Sequence, residues 1–491
     1  MILNWILALL SGGLLAFIFP PHNLVWLAPV ALTPLLIACA REDRWRWRFL
    51  LGWAAGVHYW FGLCHWITDT LARFGGMNIT VAWLLFLLLC CVKAIQMGAF
   101  AALAGPILQT PFALPGVAAL WVAIEWTHAW TGFEWLNLGN AGSGMSVPLR
   151  LAPLTGVWGL SFVFVLLAAA LANLALRGPR ARVLWLLPLV ALVFLPDVPA
   201  LQRGGAAAVV AQPNLSDDAV WTDDLVKHTI RQLALLSLSP VLSRDGAPDL
   251  IVWPEMPAPF YDYDSSFTGA VESVAKIAKT ALITGIVARA GDGEPLNSAL
   301  LVGPDGRRIS RYDKVNLVPF GEFVPWPFGA IAKKVSTEAG SFEPGRNVVV
   351  SQLGDHRIGT FICYESVFPG YVRRFVASGA EVLFNISNDS WYGTSAARNQ
   401  HLLIVRMRAA ENQRWIVRAT NDGITAAIDP AGRVVRSAAE REELAVRLPF
   451  SYRKELTFYT RFGDWFVALC AVIAAACLIR AELPSRSGSL R

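Results

Sequence analysis

The first 200 residues contain a succession of apolar stretches, and no other feature of the chain limits its possible folds so strongly. About 20 consecutive apolar residues are enough for a helix to cross a bilayer. Such stretches lie at residues 3–20, 23–40, 50–70, 79–104, 115–130, 152–176, 183–200 and 462–480. The pattern predicts a polytopic α-helical membrane protein with about eight spans. The first stretch has no basic residues before it, so we expect it to be retained as a span.

Positive charge is concentrated in the segments 41–48, 177–182 and 480–491, which together hold ten arginines and three acidic residues. These segments account for more than the whole net charge of +6, so the charge of the rest of the chain gives little support for nucleic-acid binding. With a cytoplasmic N-terminus, all three segments fall on the cytoplasmic side, as the positive-inside rule requires. Residues 205–448 then lie outside the cytoplasm.

Between residues 205 and 448 the composition becomes that of a globular domain, in which β-branched apolar runs alternate with helical patterns. The predicted strands are 206–211, 250–253, 281–288, 298–302, 348–353, 358–362, 382–386 and 416–419, and the predicted helices are 222–238, 265–279, 370–378 and 397–413. This order predicts a layered α/β domain. We divide the chain into a membrane domain (1–204), this domain (205–448) and a last segment (449–491) that holds a linker, the final span and a cytoplasmic tail. The loop at 320–345 is expected to cover a site.

Three polar residues follow apolar runs in this domain: Glu255, Lys314 and Cys363. A carboxylate, a cation and a thiol suffice for acyl transfer through a thioester, because the thiol needs a base and the oxyanion needs a positive donor. Each residue taken alone also fits an ordinary structural role. His356 lies seven residues before Cys363 on one predicted strand, about 20 Å away, and so cannot be the base. His401 stays open as an alternative base.

The segments around these positions resemble the nitrilase (carbon–nitrogen hydrolase) superfamily. They are WPE at 253–255, YDKVNLVPFGEFVP at 312–325, CYE at 363–365, ISNDSWYG at 386–393 and TNDGITAAIDPAGRV at 420–434. With predicted spans on both sides of the domain, the chain resembles bacterial apolipoprotein N-acyltransferases over nearly its full length. FGGM at 74–77 and WLNLG at 135–139 resemble membrane-part motifs of that family less specifically. The resemblance implies a nitrilase-like αββα sandwich inserted between transmembrane helices.

The resemblance also implies roles for individual residues. Glu255 would be the general base, Lys314 would stabilise the oxyanion and Cys363 would be the nucleophile. Backbone N–H groups near Tyr364 would assist Lys314. The implied supporting or substrate-binding residues are Glu322, Tyr364, Glu365 and Trp221.

The reaction that the resemblance implies is a step of lipoprotein maturation. An acyl chain of a phospholipid, typically phosphatidylethanolamine, would move onto Cys363 as a thioester. The α-amine of the diacylglyceryl-cysteine at an apolipoprotein's N-terminus would then take it up in a ping-pong cycle. No metal or nucleotide cofactor is implied, and the sequence has neither a Gly-rich phosphate loop nor metal-ligand spacing in the outer domain. The protein would be a monomer of the bacterial inner membrane with a periplasmic catalytic domain.

The sequence is also compatible with two other functions. A membrane-tethered amidase or nitrilase would hydrolyse a small amide with the same triad, although an anchor alone would need only one span. A transporter whose outer domain binds substrate would keep its function in Cys363→Ala. Within the predicted spans, the ionisable Lys93 and Glu125 are candidates for pairing across helices or for lining a headgroup cavity.

Overall fold

The computed structural model divides the chain into two compact units. The described residues are 1–73, 75–201, 203–216, 220–241, 247–291, 293–323 and 342–482. The first unit comprises residues 1–68, 79–198 and 462–491, and the second comprises 69–78 and 199–461. Most of the predicted loop at 320–345, the arginines beyond 482 and Phe74 of the FGGM motif lie outside the described residues.

The part of the chain before residue 198 is helical, as its apolar stretches predict. The α-helices are α1 (Ile2–Ile18), α2 (Thr33–Arg41), α3 (Trp45–Cys64), α4 (Ile67–Arg73), α5 (Ile79–Leu108), α6 (Ala113–Trp126), α7 (Ser146–Leu149), α8 (Ala152–Thr155) and α9 (Val157–Ala175). The 3-10 segments are Val25–Leu27, Thr127–Thr131, Leu138–Gly144 and Arg180–Phe194. The first unit also contains a C-terminal helix, Trp465–Glu482.

Three helices in the described part of the chain are long and apolar enough to cross a membrane: α5, α9 and the C-terminal helix. Helix α1 is apolar but has only 17 residues. The sequence predicts about eight spans, and three candidates meet the length and hydropathy that a span requires.

Two of the predicted spans are not continuous α-helices. Within 23–40 only α2 is α-helical, and most of 183–200 belongs to the 3-10 segment Arg180–Phe194. Pro29 and Pro188 interrupt these stretches, and proline cannot donate the backbone hydrogen bond that an α-helix needs. Neither stretch is therefore a continuous α-helix, and their crossing of the membrane stays a prediction.

Lys93 and Glu125 are buried in the first unit, and each has its own partners. Lys93 Nζ donates to Thr131 Oγ1 at 2.9 Å and to the carbonyl oxygen of Phe133 at 2.8 Å. Glu125 Oε1 accepts from the backbone N–H of Leu138 at 2.6 Å. Both residues line a cavity of about 30 Å³. A cavity of this size holds about one water molecule, so a headgroup cavity at these residues stays a prediction.

The second unit is built from strands and helices in alternation. Its strands are β1 (Ala206–Gln212), β2 (Leu250–Val252), β3 (Ala281–Arg289), β4 (Pro295–Val302), β5 (Arg308–Asp313), β6 (Val350–Leu353), β7 (His356–Ile362), β8 (Val382–Ser387), β9 (Ile416–Thr420), β10 (Ala426–Ile428), β11 (Val434–Ser437) and β12 (Leu444–Phe450). Its helices are α10 (Asp223–Val241), α11 (Ser265–Ala278), α12 (Pro369–Ala377), α13 (Ala397–Asn412) and α14 (Phe458–Phe462). The eight predicted strands and four predicted helices are confirmed within a few residues at each end.

The strands form two six-stranded sheets with the orders β12-β1-β2-β3-β4-β5 and β11-β10-β9-β8-β7-β6. In the first sheet β1, β2 and β3 are parallel, and β4 and β5 follow antiparallel. In the second sheet β7, β8 and β9 are parallel, and β10 and β11 follow antiparallel. The five strands β1–β5 therefore have the same arrangement as β7–β11.

The two sheets face each other, since β1 contacts β9 and β4 contacts β7. Helices α10 and α11 pack on the first sheet, where Leu233 and Phe267 join a core with Trp253, Leu282 and Leu300. Helix α12 contacts β7 of the second sheet and packs against α13. The layers are thus helix, sheet, sheet and helix. This arrangement brings together the segments that follow the parallel strands of both sheets.

Candidate active site

Three of the predicted site residues lie directly after strands and are almost fully buried. Glu255 lies three residues after the end of β2, Lys314 directly follows β5 and Cys363 directly follows β7. Their exposed fractions are 4%, 1% and 5%. The first two come from one sheet and Cys363 comes from the other. Strands β2 and β7 are short, apolar and buried over most of their length, so they carry Glu255 and Cys363 into the interior.

Lys314 is held between two carboxylates. Its Nζ lies 3.1 Å from Glu255 Oε1 and 2.9 Å from Glu322 Oε1. The side-chain amide of Asn297 donates to the same two oxygens, at 2.8 Å and 2.6 Å. The backbone N–H of Asn388 donates to Glu255 Oε2 at 2.9 Å. The structure therefore brings the predicted residues Glu255, Lys314 and Glu322 into one buried network.

The charges in this network decide the protonation of Lys314. Burial alone would lower its pKa, but the negative charges of Glu255 and Glu322 outweigh burial and raise the pKa above the usual value. Lys314 is therefore an ammonium ion in the resting protein. A buried cation with two fixed partners is suited to stabilise an oxyanion, because it costs little reorganisation when negative charge develops.

Cys363 stands at a strained point of the backbone, with φ at +49°. Non-glycine residues rarely adopt this left-handed conformation, and such strain is concentrated at functional sites. Burial and the charge of Glu255 raise the pKa of the thiol, whereas Lys314 and a hydrogen bond with Ser387 lower it less. The thiol is therefore protonated at rest. Its attack on a substrate requires a base that removes the proton at that moment.

Glu365 joins the segments that carry Lys314 and Cys363. Its Oε1 accepts from the hydroxyl of Tyr312 at 2.6 Å and from the backbone N–H groups of Val315 and Asn316 at 2.8 and 3.2 Å. Its Oε2 accepts from the backbone N–H of Ile362 at 2.8 Å. Burial raises the pKa of Glu365 to about 7, against the effect of these hydrogen bonds. The side chain therefore connects the chain on both sides of the catalytic candidates.

The other two predicted residues have different surroundings. Tyr364 is buried next to Cys363, and its ring packs edge-on against Phe368 at 5.6 Å. Trp221 is 37% exposed and lies two residues before α10. None of the hydrogen bonds described above within the network of Glu255, Lys314 and Glu322 involves Trp221. The structure therefore brings six of the seven predicted residues to one region and does not connect Trp221 to them.

The two histidines that could pair with a thiol occupy different places. His356 begins β7, at the opposite end from Cys363, where its Nδ1 lies 2.7 Å from Glu381 Oε2. His401, on α13, is fully buried, and its Nε2 lies 3.2 Å from the carbonyl oxygen of Cys363. Burial, with the nearby charge of Arg418, lowers the pKa of His401, so its ring is neutral.

Two residues that contact the candidate site were not singled out from the sequence. Asn297 lies inside the apolar run of β4, where a single amide among buried residues is a detectable signal. Gly285 on β3 approaches the Glu255 segment so closely that an added Cβ would lie 2.3 Å from the backbone nitrogen of Met256. The sequence gives no sign of the role of Gly285, because its close contact is with a segment that is distant along the chain. Among the described residues, no group of three or more His, Cys, Asp or Glu side chains could hold a metal ion.

Two family models match the chain. Residues 206–455 match the carbon-nitrogen hydrolase family, and residues 11–170 match the apolipoprotein N-acyltransferase N-terminal domain. A likeness to the crystal structure of Saccharomyces cerevisiae Nit3, a member of branch 10 of the nitrilase superfamily, covers 51% of this chain and 92% of that one. At 17% identity and a TM-score of 0.40, that likeness adds nothing to the assignment.

Curated relatives match nearly the whole chain. The apolipoprotein N-acyltransferase of Geobacter metallireducens is 34% identical, over 98% of this chain and 96% of the relative. The apolipoprotein N-acyltransferase of Chromobacterium violaceum is 32% identical, over 96% of this chain and 93% of the relative. The matches cover the helical part and the sheet-containing part together. The chain therefore belongs to the apolipoprotein N-acyltransferase family.

Proposed function

We propose that this protein transfers an acyl chain from a phospholipid to the N-terminal α-amine of a diacylglyceryl-modified apolipoprotein, through a thioester on Cys363. Membership in the family makes it an acyltransferase of lipoprotein maturation. The observation that supports the chemical route is the Lys314 ammonium, held between Glu255 and Glu322, whose charge acts on the buried Cys363 thiol. This set contains a base, a cation and a nucleophile.

In the first half-reaction the Glu255 carboxylate takes the proton of the Cys363 thiol as sulfur attacks the ester carbonyl of the phospholipid. The negative charge that develops on the carbonyl oxygen is stabilised by Lys314 and by the backbone N–H of Tyr364. When the intermediate collapses, the carbon–oxygen bond to glycerol breaks. The departing oxygen takes the proton from Glu255, which leaves a lysophospholipid and an acyl-enzyme thioester.

In the second half-reaction the neutral α-amine of the acceptor attacks the thioester carbon. Glu255 removes a proton from the attacking nitrogen, and the same oxyanion site stabilises the intermediate. The carbon–sulfur bond then breaks, and the proton passes from Glu255 to the sulfur of Cys363. The products are an amide-linked, triacylated lipoprotein and the original thiol. Glu322 keeps Lys314 in place during both halves.

We assign the protein to the bacterial inner membrane as a multi-pass monomer with its catalytic domain on the periplasmic side. This topology requires the other predicted stretches, including the interrupted ones at 23–40 and 183–200, to cross the bilayer in addition to the three candidate spans. It is supported by the basic segments 41–48 and 177–182, which fall on the cytoplasmic side under the positive-inside rule. Phosphatidylethanolamine is the proposed donor.

The test is the acyl-enzyme itself. The full chain, reconstituted in phosphatidylethanolamine vesicles without acceptor, is expected to gain the mass of one fatty acyl group on Cys363. A diacylglyceryl lipopeptide should then remove the adduct and become N-acylated, and Cys363→Ala should show neither event. Wild-type protein that N-acylates the lipopeptide without this adduct would refute the thioester route. Release of ammonia from small amides without acyl transfer would favour an amidase.

The role of Glu255 can be tested separately with iodoacetamide, which alkylates the Cys363 sulfur. If Glu255 is the base, Glu255→Gln alkylates more slowly because proton removal is lost. If Glu255 acts only through its charge, the substitution lowers the pKa of the thiol and alkylation becomes faster. An unchanged or increased rate excludes Glu255 as the base, and Cys363→Ala provides the background of the other cysteines.

A further inference from the structure

A buried polar cluster lies behind the Cys363 backbone, and the proposed mechanism does not use it. The cluster consists of Ser366, Asp389, His401 and Arg418, whose side chains are 0% exposed. Arg418 Nη2 donates to both carboxylate oxygens of Asp389, at 2.6 and 2.7 Å. Four polar side chains buried together cost folding energy unless their hydrogen bonds are satisfied in a fixed geometry.

The contacts on both sides of the ring indicate which nitrogen of His401 carries the proton. The carbonyl oxygen of Cys363 lies 3.2 Å from Nε2 and can only accept, so this hydrogen bond places the proton of the neutral ring on Nε2. Nδ1 is then an acceptor, and Arg418 Nη2, which can only donate, lies 3.1 Å from it. The two hydrogens of this Nη2 are shared between Nδ1 and the carboxylate of Asp389. Both contacts therefore favour the same tautomer of His401.

With its proton on Nε2, His401 can donate to the two oxygens nearest to that nitrogen. These are the Oγ of Ser366 at 2.8 Å and the carbonyl oxygen of Cys363 at 3.2 Å. We propose that His401 is a positioning residue whose Nε2–H fixes the peptide group between Cys363 and Tyr364. This proposal rests on the proposed function, because it assigns a purpose to the direction of the Tyr364 N–H.

The physical link is the planarity of the peptide bond. In a trans peptide the carbonyl and the following N–H point in opposite directions, and cis bonds in this protein are recorded only for Pro20-Pro21 among the described residues. When His401 holds the carbonyl of Cys363, it therefore also fixes where the N–H of Tyr364 points. It restrains the left-handed Cys363 backbone at the same time. A donor whose direction varies stabilises an oxyanion less well. The restraint by His401 should therefore speed the acyl-transfer steps.

The test compares two reactions of the same sulfur. Acylation by phosphatidylethanolamine passes through an oxyanion, whereas alkylation by iodoacetamide does not. We expect His401→Leu to slow formation of the acyl adduct about 100-fold, the scale for losing one oxyanion donor, while the alkylation rate stays within about threefold. His401→Gln keeps an N–H donor near the position of Nε2 and is expected to acylate within about fivefold of wild type.

Three results would overturn the proposal: wild-type acylation in His401→Leu, equal loss of acylation and alkylation, or a His401→Gln variant as slow as His401→Leu. If His401→Leu does not fold, His401→Asn replaces it, because its shorter amide reaches the Arg418 side but not the Cys363 carbonyl. Equal acylation rates of the Gln and Asn variants would then refute the proposal. Failure of the proposed function is a different result, namely full N-acylation by Cys363→Ala.

Discussion

Replacing Lys314 by Met should lower the stability of the protein and abolish its acyl transfer. At distances of 3.1 and 2.9 Å, each carboxylate attracts the ammonium by about 5–6 kcal/mol at an effective dielectric constant of about 20, before desolvation is counted. Without the cation, Glu255 and Glu322 remain as two buried carboxylates, and removing one partner of a buried pair costs about 3–5 kcal/mol. For a domain of this size that corresponds to a fall in Tm of about 10 °C.

The double substitution Lys314→Met with Glu322→Gln tests this reasoning because it removes the cation and one of the two negative charges together. We expect it to recover at least half of the lost stability, measured by thermal unfolding of the purified protein followed by intrinsic fluorescence. Acyl-adduct formation on Cys363 should stay absent in both variants, since the oxyanion donor is missing. A single variant with wild-type stability, or a double variant that regains activity, would refute the electrostatic account.

Further predictions concern neighbouring groups. Gly285→Ala should slow acyl transfer at least tenfold by pushing the Glu255 segment, whereas Gly269→Ala, which has open space, should not. Because burial raises the pKa of Glu365 from 4.5 to about 7, its contribution to stability, at most about 3 kcal/mol, is present below pH 4.5 and lost as pH rises through 7. The Tm of wild type relative to Glu365→Gln should therefore fall between pH 5 and 8. Alkylation of Cys363 should keep rising above pH 8, and a plateau below that pH would contradict its raised pKa.

The sequence predicted the layers of the second unit because each element there has a local signal. Apolar β-branched runs and amphipathic periods mark the strands and helices that pack in the core, so their limits were found within a few residues. Strand β5 was missed because its sequence, RISRYD, is mostly polar and partly exposed. Strands β10 to β12 are short or partly exposed and were not predicted from the sequence.

In the helical unit, apolar composition was a weaker guide to the backbone structure. Apolar composition predicts burial in lipid or protein, but it does not say whether the backbone continues as an α-helix past a proline. Stretches 23–40 and 183–200 are apolar enough to be read as spans, yet they contain 3-10 and irregular segments. In the second unit, similarly, the sequence pointed to Glu255, Lys314 and Cys363 but not to Asn297, whose amide links two carboxylates that are distant along the chain.

The repeated arrangement of the two sheets explains why the site could not be assembled from local patterns. Strands β2 and β8 occupy equivalent places in β1–β5 and β7–β11, and the segments that follow them meet, since the Asn388 N–H donates to Glu255 Oε2. The base candidate is therefore oriented by the sheet that carries Cys363. The sequence shows no internal repeat that would reveal this arrangement. Two sheets can share one strand order without similar residues, because the order depends on backbone hydrogen bonds and on which faces are buried. Face-to-face packing of the two sheets is what converts separate strand ends into one candidate site.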